Sequence, residues 1–417
     1  MSADPGPDAV CAAALAGLPG MGPASLASLL AGFHPAGVWD LVLAGDVTRP
    51  ARGRRGRRPA AGGDLLPSPL PVRSPTDDAR LFAPSGPPPV CSGAGDRTWL
   101  EAARSCDLDA LATRLVATGT GVTWAGRADY PRCLSSDPEP PGVLFWRGAL
   151  APLDGRCVAI VGTRRCSPDG RRVAWELGRD LGGAGLCVVS GLALGIDAGA
   201  HLGALAAPAG STVGVAASGV DVPYPAQHSG MWEEVVARGA VLSETAPGQP
   251  AQAWRFPARN RVIAGLVQLV VVVESHEAGG SMLTVDAALA RGVDVGAVPG
   301  PVHSLASTGT NRLLVDGATP VRHAGDVLDH FGLAATPGPE ATAAAGCRPA
   351  GRPRPPRPEG PDRQVYQAVG WAPTSLGRVV DGAGLDLGTV GLCLSHLEEL
   401  GLVEGSGGWW ARLPPKG

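Results

Sequence analysis

Apolar positions between 157 and 201 fall into two alternating patterns. An unbroken apolar block, 157–161, ends in Gly162-Thr163-Arg164. Val173, Leu177 and Leu181 then recur every fourth residue, the stripe of a helix, until Gly182, Gly183 and Gly185 stop it. A second block, 186–189, ends in Ser190-Gly191, and a second helix is predicted near Gly195-Ile196-Asp197. Strand, helix, strand, helix is the unit of a parallel sheet. Further strands are predicted over 143–146, 212–217, 240–243, 269–274 and 293–298, with helices near 230–238, 258–266 and 281–292. Leu269-Val270-Val271-Val272-Val273 is apolar throughout, as a strand buried on both faces should be. The pattern predicts an α/β fold, a three-layer sheet domain within 98–333.

The flanks read differently. Residues 9–43 look helical, and Gly17-Leu18-Pro19-Gly20-Met21-Gly22 resembles the turn of a helix-hairpin-helix in a small domain over 1–45. That turn either offers N–H groups to a DNA phosphate or simply joins two helices. Residues 46–97 are rich in Pro, Gly, Ser and Arg, with a basic run of Arg49, Arg52, Arg54, Arg55, Arg57 and Arg58. With few large apolar residues the segment is predicted to be a disordered insert. A second linker is predicted over 334–360, with Arg348, Arg352, Arg354 and Arg357 set between prolines. Over 361–417, three helices near 362–369, 374–381 and 387–400 precede a hairpin turning at Gly407-Gly408, a winged-helix pattern.

Composition narrows the chemistry. Net charge is −3 over 417 residues, so any nucleic-acid site must be a local patch. Lys416 is the only lysine, so cationic contacts elsewhere must come from Arg or protonated His. Nine scattered cysteines, with no C-x-x-C pair and no His cluster at zinc spacing, fit free thiols in a reducing cytoplasm and no metal. Cys157 and Cys187 fall in strand patterns as core residues. The first residues lack the basic start and apolar core of a secretory signal. The longest apolar run, 266–273, is interrupted by Gln268, so no membrane span is expected.

Four loops should converge where strands end and helices begin, a place that favours anions. The first is Gly162-Thr163-Arg164, where glycine admits a phosphate and arginine closes on it. The second carries Ser190-Gly191 and then Asp197, an acid suited to capping a helix start, with His201 one turn on and able to bond to it. The third, Trp254-Arg255-Phe256-Pro257-Ala258-Arg259-Asn260-Arg261, sets three arginines around an aromatic ring and an amide, which suits a nucleic-acid strand. The fourth is Gly279-Gly280-Ser281. No G-x-G-x-x-G, Walker A lysine or G-x-S-x-G elbow is present. Asp197, His201 and Glu274 could form an acid–base set, but no spacing compels it.

Taken in order, Val158-Ala159-Ile160-Val161-Gly162-Thr163-Arg164, Ser190-Gly191-Leu192-Ala193-Leu194-Gly195-Ile196-Asp197, Phe256-Pro257-Ala258-Arg259-Asn260-Arg261, Gly280-Ser281-Met282-Leu283-Thr284 and Gly309-Thr310-Asn311-Arg312 resemble the DNA-processing protein A family, over about 120–333. The resemblance implies an extended Rossmann-like three-layer sheet with a helical N-terminal domain and a C-terminal winged helix. It implies a cytoplasmic homodimer that binds single-stranded DNA and helps load RecA recombinase during natural transformation. It implies no catalysis and no cofactor. Its DNA contacts carry over to Gly162, Thr163, Arg164, Ser190, Gly191, Phe256, Arg259, Asn260, Arg261, Gly280 and Ser281. The chain departs from the family in having Leu194 where an Arg is usual, and in lacking a lysine near Asp221-Val222-Pro223-Tyr224-Pro225. The rival is a nucleotide phosphoribohydrolase. Its P-G-G-x-G-T signature is absent, and Pro299-Gly300-Pro301 is the nearest fragment. A transcription factor with a sensor domain is a third reading, resting on the winged helix alone.

Overall fold

The computed structural model describes residues 5–47, 97–333, 358, 360–370, 374–400, 402–406 and 408–412. The expected insert at 46–97 and linker at 334–360, with their arginine runs, lie almost wholly outside the described residues. The chain divides into two compact units, Met1–Thr336 and Pro337–Gly417.

The first unit opens with helices α1 (Pro7–Gly17), α2 (Pro23–Leu30), α3 (Pro35–Ala44), α4 (Arg97–Arg104) and α5 (Leu108–Thr118). Each of the first three starts on a proline, whose missing N–H would have no helical partner there. Strands β1 (Gly121–Trp124) and β2 (Val143–Gly148), with the one-turn helix α6 (Arg132–Ser135) between them, lead into the alternating region. There β3 (Cys157–Val161), β4 (Cys187–Ser190), β5 (Ser211–Val215), β6 (Ala240–Ser243), β7 (Leu269–Val272), β8 (Asp294–Ala297) and β9 (Thr319–Pro320) follow in turn. Between them run α7 (Pro168–Gly183), α8 (Ile196–Ala206), α9 (Ser229–Arg238), α10 (Arg255–Gly265), α11 (Met282–Leu289) and α12 (Thr308–Val315), and α13 (Ala324–His330) closes the unit.

These strands make one nine-stranded sheet, ordered β1-β2-β6-β5-β4-β3-β7-β8-β9. Strands β3 to β9 pair in parallel, whereas β2 runs antiparallel to both β6 and β1. Cores fill both faces. Val158, Ile160 and Val271 meet Leu177 and Leu181 of α7 on one side, and Ala159, Val270 and Val272 meet Val262 and Ile263 of α10 on the other. Cys157 and Cys187 are buried, and all seven described cysteines are free thiols.

The N-terminal helices join this sheet. Leu15, Trp39, Trp99 and Leu115 share one core with Val122, Phe145, Trp232 and Val241. The segment expected to stand as a separate domain therefore packs on the β1–β2 side of the sheet. Truncating a buried tryptophan here should cost about 3–5 kcal/mol, as for any large aromatic in a core.

Two local expectations change. Strand β1 was not legible, because Thr123 interrupts its short apolar run and Gly121 opens it. Helix α10 begins at Arg255, three residues before the expected start. Pro257 is accommodated in its first turn, where a proline removes no hydrogen bond.

The second unit holds α14 (Gly360–Ala368), β10 (Thr374–Ser375), α15 (Leu376–Ala383), α16 (Leu387–Glu399), β11 (Val403–Ser406) and β12 (Trp409–Arg412). Its three strands pair antiparallel in the order β10-β12-β11. Val365, Val379, Val390, Leu394 and Leu397 form its own core.

Candidate nucleic-acid interface

Strand β3 lies between β4 and β7, so the chain leaves it towards one side and later returns on the other. Loops after β3 and β7 part at such a switch point, and a ligand crevice opens beyond the strand ends. A crevice of about 440 Å³ lies there, lined by Gly162 to Arg165, Ala193, Asp197, Phe256 to Asn260 without Ala258, and Gly279 to Thr284 without Met282. Loops one, three and four of the sequence reading meet in it, and loop two supplies its floor.

Hydrogen bonds tie loop one to the end of β7. The Thr163 amide donates to the Glu274 carbonyl, 2.8 Å, tying the end of β3 to the end of β7. The Glu274 carboxylate accepts from the Ser167 amide and hydroxyl at 2.8 and 2.6 Å. Gly162 has no room for a side chain, since a Cβ would come within 2.6 Å of Ile196 and 2.8 Å of the Glu274 carbonyl.

The rim is cationic and aromatic. Arg164 and Arg165 are exposed. The Arg164 guanidinium carbon lies 4.5 Å from the Phe256 ring centroid. Tyr224, itself exposed, sets its ring 5.6 Å from that of Phe256. Asn260 donates to the Gly280 carbonyl, 3.3 Å, which ties loop three to loop four.

Five expected contacts sit differently. Arg259 is buried, and its guanidinium donates to the carbonyls of Gly191, 2.6 Å, and Val215. Burial lowers its pKa to about 10, with Arg164 adding to the shift and Asp197 opposing it. Burial conversely raises the Asp197 carboxyl, against the pull of Arg259. Gly191 is glycine because a Cβ would meet that guanidinium at 2.6 Å. Ser190 is wholly buried, its hydroxyl donating to the Ile160 carbonyl, 2.6 Å. Arg261 leaves the crevice altogether, pairing with Glu244 and the Glu139 carbonyl. Ser281 lines the crevice, but its hydroxyl donates to Ser275, 2.7 Å. Arg259 and Ser281 belong to the wall of the crevice, with Ser190 and Gly191 behind it. Gly162, Thr163, Arg164, Phe256, Asn260 and Gly280 line the crevice on its accessible side.

The three groups that could have formed an acid–base set are committed elsewhere. Asp197 accepts from the Ala193 amide, 3.4 Å, and faces Arg259. Glu274 holds Ser167. His201 bonds to Thr212, 2.7 Å, not to Asp197. Among the described residues no group of three or more His, Cys, Asp or Glu could hold a metal ion. No single described helix is long and apolar enough to cross a membrane.

Two rim residues escaped the sequence reading. Arg165 was legible as a second cation beside Arg164. Tyr224 stands between Pro223 and Pro225, a turn in which a large ring has no strand or helix to pack from.

Comparison with known proteins agrees with this architecture. Residues 121–332 match the model of the family described as DNA recombination-mediator protein A. The DNA processing protein DprA of Streptococcus pneumoniae is 39% identical over 202 residues, covering 48% of this chain and 71% of that protein. The putative DNA processing protein DprA of Mycobacterium tuberculosis is 37% identical over 275 residues, 64% of this chain and 68% of that one. The X-ray structure of DNA processing protein A from Streptococcus pneumoniae superposes with a TM-score of 0.52 at 35% identity, covering 56% of this chain and 81% of that chain. A match over half the chain, carried through the strands and loops that build the crevice, places the protein in the DNA recombination-mediator protein A family.

Proposed function

We propose that the crevice beyond β3 and β7 binds single-stranded DNA. Arg164 and Arg165 take backbone phosphate, Phe256 and Tyr224 offer ring faces to bases, and Gly162, Thr163, Asn260, Gly280 and Ser281 shape the cradle. The observation that carries this reading is the set of exposed cations beside the exposed Tyr224 ring and the half-buried Phe256 ring, over a crevice whose one acid among the described lining residues, Asp197, is buried against Arg259. Rings stack on bases only where bases are unpaired, which favours single strands over duplex. Arg259, Ser190 and Gly191 act through the wall, and Arg261 serves the fold through Glu244.

From the resemblance, the bound strand is passed to RecA recombinase in the cytoplasm, and the protein works as a homodimer without catalysing a reaction. The second unit reads as a winged helix. Its α16 contains Glu398 and Glu399 and no Arg or Lys, so it suits a protein contact better than a DNA groove.

The test is fluorescence anisotropy on the full chain, with a labelled single strand and a duplex of equal length at several salt concentrations. The single strand should bind more tightly, and its affinity should fall as salt rises. Equal affinity for duplex would overturn the reading, and release of base from a nucleoside monophosphate would favour the phosphoribohydrolase rival.

A further inference from the structure

The crevice is bounded on one side by the first turn of α10, and a second cleft lies beyond that turn. This cleft, about 480 Å³, is formed by Gly17 to Gly22 between α1 and α2, together with Gln249, Gln252, Trp254 and Arg255. Among the described residues no carboxylate lines it. Trp254 is 51% exposed, unusual for the largest apolar side chain. Its Nε1 donates to the Gln252 side chain, 2.6 Å, which fixes the ring by its edge. Arg255 donates to the Pro250 carbonyl, 2.6 Å, and its guanidinium carbon lies 5.2 Å from the Trp254 ring centroid. In the hairpin turn, the Met21 amide bonds to Leu18, 3.0 Å, while the amides of Gly20 and Gly22 find no acceptor among the described residues.

We propose that a single strand lying in the first crevice continues over the start of α10 into this cleft, stacking a base on Trp254 and setting a phosphate against the hairpin turn. The proposal rests on the single-strand reading above and extends it. Continuity argues for this occupant: Trp254, Arg255 and Phe256 are consecutive, and the first and last of them belong to the second and first clefts respectively. A strand crossing that turn meets an aromatic face at each end and cations along the way. Gln249 and Gln252 present both donors and acceptors, so they can meet any base edge. The helix-hairpin turn noted in the sequence thereby gains a ligand in common with the main crevice.

The experiment uses the full chain and thymidine oligonucleotides of increasing length, read by anisotropy at fixed salt. Trp254→Ala should bind the shortest oligonucleotides like wild type and lose about tenfold once the strand is long enough to reach the cleft. Trp254→Phe keeps a stacking face and should restore most of the loss. Gln249→Glu, which places a carboxylate in the cleft without removing the ring, should weaken only the longer strands. Should Trp254→Ala melt early, Gln249→Glu alone decides. Wild-type binding that is unaffected by these variants at every length would overturn this proposal and leave the first crevice standing. Absence of wild-type binding at any length would instead overturn the single-strand reading itself.

Discussion

Arg164 lies over the ring of Phe256, its guanidinium carbon 4.5 Å from the ring centroid, so the rim's cation and its stacking face are held as one unit. The two should nevertheless fail differently. Arg164→Ala should weaken single-strand binding and flatten the slope of log K against log salt by about 0.7, the value for one phosphate contact. Phe256→Ala should cost about 1–3 kcal/mol of stacking with little change in slope. Salt titrations of the two variants check this, and identical slopes would remove Arg164 from the phosphate path.

Arg259 should behave as a structural residue. Its removal strands Asp197 as a buried carboxylate and leaves the Gly191 and Val215 carbonyls without donors. Arg259→Ala should therefore destabilise the protein by about 3–5 kcal/mol. Arg259→Lys should also be impaired, because an ammonium cannot reach both carbonyls as a guanidinium does. Thermal melting measures the effect. A variant that melts like wild type yet binds DNA poorly would return Arg259 to the ligand.

His201 sets an acid limit on the fold. The Thr212 hydroxyl donates to the Val188 carbonyl, 2.7 Å, so the imidazole Nδ1 must donate to Thr212. Its Nε2 is then a buried acceptor with no partner among the described residues. A proton placed there would be a buried charge, and burial lowers the His201 pKa to about 3 from the ordinary 6.5. The unfolded chain thus binds this proton more readily than the native one. Stability from this group is full above pH 6.5 and drains away as pH falls towards 3. Denaturant unfolding of wild type and His201→Asn at pH 7 and pH 5 should show a shallower pH dependence in the variant.

Leu194 is an exposed residue of the loop between β4 and α8, 44% accessible, at the position where the family resemblance led to an expected arginine. Leu194→Arg should fold normally. If the loop tip follows the DNA, affinity should rise and the salt slope steepen by about 0.7. A stable variant with an unchanged slope would show that only the base of this loop, around Ala193, belongs to the crevice.

Much of this was legible in the sequence, for physical reasons that also mark where legibility stops. The runs 157–161 and 269–273 read as central strands because parallel strands are apolar on both faces. Gly162 and Gly280 read as one site because small residues recur where strands give way to helices, and Phe256 joined them through the arginines and amide around its ring. What charge alone could not reveal was direction. Arg164 and Arg259 looked equivalent, yet Arg259 shares its helix face with Val262 and Ile263, both buried against the sheet. The three- and four-residue spacing to those residues was the available signal, and it was outweighed by reading the three arginines as one cationic cluster at a helix start. The Asp197–His201 pairing failed similarly. One helical turn brings the two close, but the hydroxyl of Thr212 on the neighbouring strand is the nearer partner once the sheet forms.

The sheet's last strand has a consequence for how copies of this chain can meet. Strand β9 is two residues long and ends on Pro320, which has no N–H to offer a newcomer. At the opposite margin, β1 is four residues long, with Val122 and Trp124 buried in the core formed with α1 to α5. Short, blunted margins such as these resist templated strand addition. Association of folded copies through this nine-stranded sheet is thereby directed to side-chain surfaces, and in-register stacking on it would require the native margins to come apart first.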